Sequence, residues 1–402
     1  AMYPGLSHGA MRTIEHHGTE QQKQKFLTKL ISGVWTGTMC LTESHAGSDL
    51  GLIRTKAEPN PDGSYSITGE KIFISAGEHD LSENIIHIVL ARLPQAPVGT
   101  KGISLFIVPK FNVSDDAQVL DRNKVVCSAI EHKMGIHGNA TCVLNFDGAK
   151  GYLIGPENRG LNCMFTFMNT ARIGTAVQGL AASEISFQGA LSYAKERLAM
   201  RSLSGPKYPD KNADPIIVHP AVRSMLMTQK AFSEGGRALA YFLAQHVDIV
   251  ESSNDQEQQK HSDELLAFLT PIAKAFLTES GNESAKHGVQ VFGGHGFIVE
   301  HGMEQIVRDA RISTLYEGTT EIQSLDLLAR KVLKSEGKLL KNMTDLIDQF
   351  ISQHQSNEVL KPYLEKLAEL KQQWLSLTKS IAEKAKHNPE EIGAASVDYL
   401  YF

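Results

Sequence analysis

Cysteine is scarce: Cys40, Cys127, Cys142 and Cys163 are the only four in 402 residues, and no two form a Cys-x-x-Cys pair. Their wide spacing, with no histidine cluster at ligand spacing, excludes a disulfide framework and a zinc site, so no metal is expected. A chain of this length can bury enough apolar surface to fold without such staples. Long apolar runs are missing as well; nothing approaches the roughly 18 residues that a membrane-spanning helix needs. The opening Ala1-Met2-Tyr3-Pro4-Gly5 lacks the charged and apolar segments of a secretory signal, and the expected compartment is a reducing cytoplasm. Basic blocks are absent and the formal net charge is −5, against nucleic acid or an anionic membrane as the main partner. Neither Gly-x-Gly-x-x-Gly nor a Gly-Lys-Ser/Thr phosphate loop occurs, and strands do not alternate with helices in the β-rich part. A nicotinamide-binding doubly wound fold is therefore excluded.

The patterning divides the chain. Residues 18–32 read as a polar helix with Phe26, Leu27, Leu30 and Ile31 at helical spacing, ending near Gly33. From Trp35 to about Phe146 short β-type runs follow one another: 35–41, 65–67, 71–75, 85–91, 103–108 and 143–146. Turn clusters such as Pro59-Asn60-Pro61-Asp62-Gly63 separate them, which predicts an antiparallel β domain. After Gly155-Pro156-Glu157-Asn158-Arg159-Gly160 the pattern is helical, with amphipathic segments near 161–200, 217–251, 262–291 and 319–335 that predict a four-helix bundle. The link 202–216, broken by Gly205, Pro206, Pro209 and Pro215, is expected to be a solvated loop. Beyond 338 two further amphipathic helices are expected. The fold class is α+β, with boundaries at 1–34, 35–155, 156–335 and 336–402.

Three segments carry chemistry. Leu315-Tyr316-Glu317-Gly318-Thr319-Thr320-Glu321-Ile322-Gln323 joins a carboxylate to a glycine, so a ligand could approach bare backbone while Glu317 takes a proton. The same residue could equally be an exposed acid at a helix start. Thr42 to Gly51 packs hydroxyls and glycines into one turn, able to lay N–H and O–H groups against a pyrophosphate or to be an ordinary β-turn. Gln290-Val291-Phe292-Gly293-Gly294-His295-Gly296-Phe297 reads as a helix C-cap or as a bare surface for part of a cofactor.

In order, Leu41-Thr42-Glu43-x-x-Ala46-Gly47-Ser48-Asp49, Gly69 to Ser75, Lys133-Met134-Gly135-Ile136, Gln290-x-x-Gly293-Gly294-x-Gly296-Phe297 and Tyr316-Glu317-Gly318-Thr319 resemble the acyl-CoA dehydrogenase family. The stretches Glu43 to Gly47, Ser75 to His79 and Glu131 to Cys142, with the long tail past 335, are similar to the larger bacterial branch that includes 3-methylmercaptopropionyl-CoA dehydrogenases. The match runs from about residue 3 to the end of the chain.

The resemblance implies FAD between the β domain and the helices, and a bacterial cytoplasmic enzyme that desaturates an acyl-CoA thioester. Met39, Cys40, Leu41, Thr42, Gly47 and Ser48 would line the flavin and pyrophosphate, and Phe73, where many relatives have Trp, and Ser75 would cover the ring. Arg197 would reach the pyrophosphate, Gln290, Gly293 and Gly294 would touch the FAD of a second subunit, and Thr319 and Glu321 complete the cofactor set. Ser48, Asn169, Arg172 and Gly318 would meet the substrate, with Glu317 as the α-proton base and its N–H on the thioester oxygen. Electron-transfer flavoprotein as acceptor and a homodimer or higher homo-oligomer are also implied. The family's N-terminal helical domain is largely missing before residue 34, and the tail stops where the long branch continues, so the chain is expected to be a fragment truncated at both ends. An acyl-CoA oxidase and a non-catalytic flavoprotein on the same scaffold are the alternative readings. Acyl chain length is not encoded in any residue singled out.

Overall fold

A computed structural model describes residues 2–402. The chain forms two compact units, Ala1–Gly174 and Thr175–Phe402. The first opens with helix α1 (Met2–His17), followed by α2 (Glu20–Gln22), a π-helical turn (Lys23–Leu27) and α3 (Thr28–Ile31). Thr19 starts α2 with a capping box closed by Gln22. The strands that follow are β1 (Trp35–Cys40), β2 (Lys56–Pro59), β3 (Tyr65–Ser75), β4 (Asn84–Arg92), β5 (Ile103–Pro109), β6 (Phe111–Val113), β7 (Val119–Arg122), β8 (Val125–Ile130) and β9 (Thr141–Ile154).

Strands β2, β3, β9, β5 and β4 are linked in a closed ring, with β1 added on β4 and β8 on β9. Barrel closure removes most of the exposed edges. Two pairings depart from the expected antiparallel pattern: β1 runs parallel to β4, Trp35 opposite Asn84 through Cys40 opposite Val89, and β2 meets β4 in parallel at Lys56 opposite Arg92. The 43 residues between β1 and β4 hold the β2–β3 hairpin, long enough for the crossover that parallel strands require. The two runs expected at 65–67 and 71–75 are one strand. Strands β2 and β6 to β8 were not foreseen, since they are short and show little apolar alternation; every residue of β7 is exposed. Inside the ring lie Ile67, Ile74, Val89, Phe106, Val108 and Leu144, while Trp35, Phe26, Ile14 and Phe167 anchor a second core under α1 and α3.

The second unit is helical. Helix α4 (Gly160–Glu196) reaches into it, followed by α5 (Pro220–Ser252), α6 (Gln256–Phe292), α7 (Met303–Arg311), α8 (Thr320–Leu325), α9 (Lys338–His354), α10 (Lys361–His387) and α11 (Glu390–Tyr401). The helix expected over 319–335 is α8 continued as a π-helix (Asp326–Leu333). Three helices, not two, lie beyond 338. Where α4 crosses α6 the backbones touch: a Cβ on Gly179 would lie 2.3 Å from the Leu277 carbonyl oxygen, and one on Gly281 2.5 Å from that of Gly179. Leu327, Leu328, Tyr399 and Leu400 join Phe268 and Leu277 in one core.

The link 202–216 is ordered rather than merely solvated. Asp214, fully buried, accepts hydrogen bonds from the N–H groups of Ser202 (2.9 Å), Lys207 (2.9 Å) and Tyr208 (2.8 Å) and from Arg201 (3.3 Å). Burial raises its pKa, but these donors outweigh it and hold the carboxyl at about 2.

Candidate active site

In the first unit, the turn after β1 is fixed from beneath by a buried ion pair. Glu43 accepts from the Arg54 N–H (2.7 Å), the Thr55 N–H (3.0 Å) and hydroxyl (2.6 Å), and Lys71 Nζ (2.8 Å). Lys71, fully buried, also donates to the Leu41 carbonyl at 2.9 Å. Burial pushes the Glu43 carboxyl up, yet the Lys71 ammonium and the N–H and O–H donors hold it below the usual range. Such a pair adds little net stability but allows one arrangement of the loop. With Glu43 anchored inward, Gly47 and Ser48 are left at the surface and Met39, Leu41 and Thr42 half-buried.

Strand β3 meets the same loop. Its register against β9 slips between Lys71 and Ile74, so that Ile72 and Phe73 oppose one residue. The Ile72 N–H donates to the Thr42 carbonyl at 2.9 Å, tying bulge to loop. Phe73 sits at φ 59° and is 59 % exposed. A bulky residue in the left-handed region costs about 1–2 kcal/mol, here with no burial of the ring in return. Ser75 is half-buried beside it, whereas Cys40 points into the barrel core, its thiol pushed up to about 12 by burial. On α4, Asn169 is exposed and Arg172 is buried.

In the second unit, Glu317 and Gly318 are consecutive left-handed residues, φ 56° and 84°. Both carbonyls are held from inside the helices: Gln323 Nε2 donates to that of Glu317 at 2.9 Å, and Lys274 Nζ to that of Gly318 at 2.6 Å. A Cβ at position 318 would fall 2.5 Å from Gln323 Nε2, so only glycine fits. Thr319 caps α8 by accepting from the Ile322 N–H (3.3 Å), and Thr320 donates to Glu279 (2.6 Å). Glu321 lies exposed in the first turn of α8, where backbone N–H and the Thr319 hydroxyl lower its pKa. The Tyr316 hydroxyl bonds to Gln178 on α4, and burial pushes this phenol up to about 12. Glu317 is half-buried, with Oε2 shielded from solvent.

The remaining positions lie elsewhere on this unit. Gln290, Gly293 and Gly294 are exposed together at the end of α6, where Gly293 takes φ 59°, ψ −135°, a conformation open essentially to glycine. Arg197 is exposed just past the end of α4. Lys274 and Glu279 were not foreseen as site residues, and Gln323, read as a polar partner for a ligand, instead donates to the Glu317 carbonyl. The signal for Lys274 was a cation inside the apolar run Pro271 to Leu277. Among the described residues no cluster could hold a metal ion and no helix is long and apolar enough to cross a membrane.

A closed β unit with a strained aromatic beside a hydroxyl-rich loop is thus followed by helices that present an acidic left-handed turn, one β domain and then one helical domain. The family models agree: the acyl-CoA dehydrogenase middle domain matches residues 38–149 and the acyl-CoA dehydrogenase C-terminal domain residues 158–333. The chain belongs to the acyl-CoA dehydrogenase family. It is 43% identical over 99% of its length to a 3-methylmercaptopropionyl-CoA dehydrogenase of Ruegeria pomeroyi, covering 67% of that protein. It is 36% identical over 88% of its length to a butyryl-CoA dehydrogenase of Syntrophomonas wolfei, covering 59% of it. Two solved structures share the fold: Caenorhabditis elegans ACDH-11 in complex with C11-CoA (TM-score 0.86, 22% identity, 100% of this chain and 65% of that one), and an acyl-CoA dehydrogenase complexed with FAD from Bacillus anthracis (TM-score 0.77, 24% identity, 98% and 66%). The chain thus spans about three fifths to two thirds of the length of such relatives.

Proposed function

We propose that the protein catalyses α,β-dehydrogenation of an acyl-CoA thioester, with Glu317 as the α-proton base. The observation that carries the reading is the Glu317–Gly318 turn: two left-handed residues clamped by Gln323 and Lys274, in the segment that matches the family's C-terminal domain. An incidental acid at a helix start needs neither the strained backbone nor the two buried donors.

The first unit has features that fit FAD. Phe73 offers a bare aromatic face at the cost of strain, and the anchored 42–48 loop offers hydroxyls and exposed backbone for a pyrophosphate. Met39, Leu41, Thr42, Gly47, Ser48 and Ser75 would line the coenzyme, with Cys40 contributing backbone only. Arg197, Gln290, Gly293, Gly294, Thr319 and Glu321 are the second unit's candidates. FAD, when bound, supplies the hydride acceptor.

Glu317 removes the proton α to the thioester carbonyl; that C–H pair becomes the new C=C as the β-carbon gives up hydride. The Glu317 N–H stabilises the negative charge arising on the thioester oxygen, and a carboxylate becomes a competent base as the acyl chain excludes water. Ser48, Asn169 and Arg172 would hold the substrate. The similarity to the Ruegeria pomeroyi and Syntrophomonas wolfei proteins favours a short acyl group, 3-methylmercaptopropionyl or butyryl; electron-transfer flavoprotein as acceptor, a homo-oligomeric state and a cytoplasmic setting are what the family resemblance of the sequence implies.

The test is anaerobic bleaching of the flavin by 3-methylmercaptopropionyl-, butyryl- and long-chain acyl-CoA. Glu317→Gln should retain flavin and slow bleaching by at least about 10²-fold. Unchanged bleaching would remove Glu317 from its role.

A further inference from the structure

We propose that Lys274 and Gln323 are positioning residues that set the direction of the Glu317 carboxylate, a reading that rests on Glu317 being the base. Both act on backbone oxygens of one turn. Gln323 Nε2 holds the Glu317 carbonyl at 2.9 Å and Lys274 Nζ the Gly318 carbonyl at 2.6 Å, and both side chains are fully buried. Fixing two successive carbonyls fixes two successive peptide planes, since each peptide is planar. Once those planes are set, both torsions of Gly318 and the place of the Glu317 Cα are fixed, which narrows the directions open to the Cα–Cβ bond of Glu317.

Lysine is an expensive choice for this task. Burying an ammonium costs several kcal/mol unless it is well partnered, and a neutral donor would satisfy a carbonyl. A cation on the carbonyl of Gly318 makes a charge-assisted bond, about twice as strong as a neutral one, on the one residue whose missing side chain leaves it free to rotate. The need is local, because Glu317 in the left-handed region would otherwise relax toward ordinary helical torsions, a difference of about 1–2 kcal/mol. The two donors reach the turn from different elements. Lys274 lies in the middle of α6, whose crossing with α4 is locked by Gly179 and Gly281, and Gln323 lies in α8 just beyond the turn. The base is thereby referenced to the rigid helix crossing rather than to its own loop.

The variants Lys274→Met and Gln323→Met remove one donor each with little change of volume. Each would be compared with native protein and Glu317→Gln for flavin content, KM, the rate of flavin reduction by acyl-CoA, and hydrogen–deuterium exchange of the 315–325 segment. A misdirected base should lower the reduction rate by about 10-fold or more at little changed KM and flavin content, with faster exchange confined to the turn. Lys274→Gln, which keeps a donor, should recover part of the rate. Reduction within about twofold of native in both methionine variants, with Glu317→Gln inactive, would overturn the assignment and leave the proposed reaction standing. Loss of flavin in both would also overturn it, since the side chains would then be holding the unit together rather than aiming the base. Persistent activity in Glu317→Gln would instead strike at the proposed reaction itself.

Discussion

Phe73 and Glu317 share an uncommon property: each is a non-glycine residue at φ near 60°, one exposed, the other half-buried. Such conformations persist only where surrounding bonds impose them. For Phe73 the imposing bonds are the bulge against β9 and the Ile72–Thr42 hydrogen bond. Phe73→Gly should therefore leave the apoprotein as stable as the native chain or raise its stability by up to about 1 kcal/mol, since relieved strain outweighs the added freedom of the unfolded chain. The same change should weaken FAD binding. Apoprotein melting and a flavin titration measure the two effects separately; a lower melting temperature with undiminished flavin affinity would show that the ring serves packing instead. Neither strained residue could be recognised from its type, because phenylalanine and glutamate ordinarily avoid this region. What the sequence did display was the partner that makes the strain tolerable, glycine at 318, where a Cβ would collide with Gln323.

Among the elements, those with strong periodicity were legible and those defined by polar contacts were not. Strands β3, β4, β5 and helices α4 to α6 announce themselves through apolar spacing, whereas β7 has no buried face and α11 is a short run after a proline. The 202–216 link is the clearest case. Glycine and prolines marked it correctly as non-helical, but its order comes from one carboxylate, Asp214, gathering three N–H groups and an arginine, a convergence that no local pattern reveals. Its acid response follows. Asp214 has a folded pKa of about 2, below the roughly 3.9 of an unfolded aspartate, so its contribution is present above pH 3.9 and is lost as pH falls toward 2. Asp214→Asn should make the link more susceptible to protease at neutral pH, and the difference from native should shrink as pH drops through that window. Equal cleavage of both proteins at pH 7 would contradict the role given to the carboxylate.

The whole molecule carries two tryptophans, one in each unit. Trp35 is fully buried under α1, and Trp374 on α10 packs against Phe268 and Tyr399 with ring centroids 5.9 and 6.3 Å apart. Tyr399 in turn bonds Thr378 at 2.8 Å, and burial pushes its phenol up to about 12. Removing that hydroxyl by Tyr399→Phe should cost about 1 kcal/mol, seen as an earlier denaturation midpoint for Trp374 fluorescence in a Trp35→Phe background. The midpoint for Trp35 in the reciprocal background should move less, since the two tryptophans belong to different cores. Equal displacement of both would mean that the units unfold as one.

The buried thiols have a practical consequence. Cys40 and Cys142 are pushed up to about 12, and Cys163 is raised as well, so at neutral pH almost none of their sulfur is in the reactive thiolate form. Cys127, half-buried on β8, is the most accessible of the four. A maleimide fluorophore added to the native protein should therefore attach at that strand first, providing a reporter on the β unit with no engineered residue.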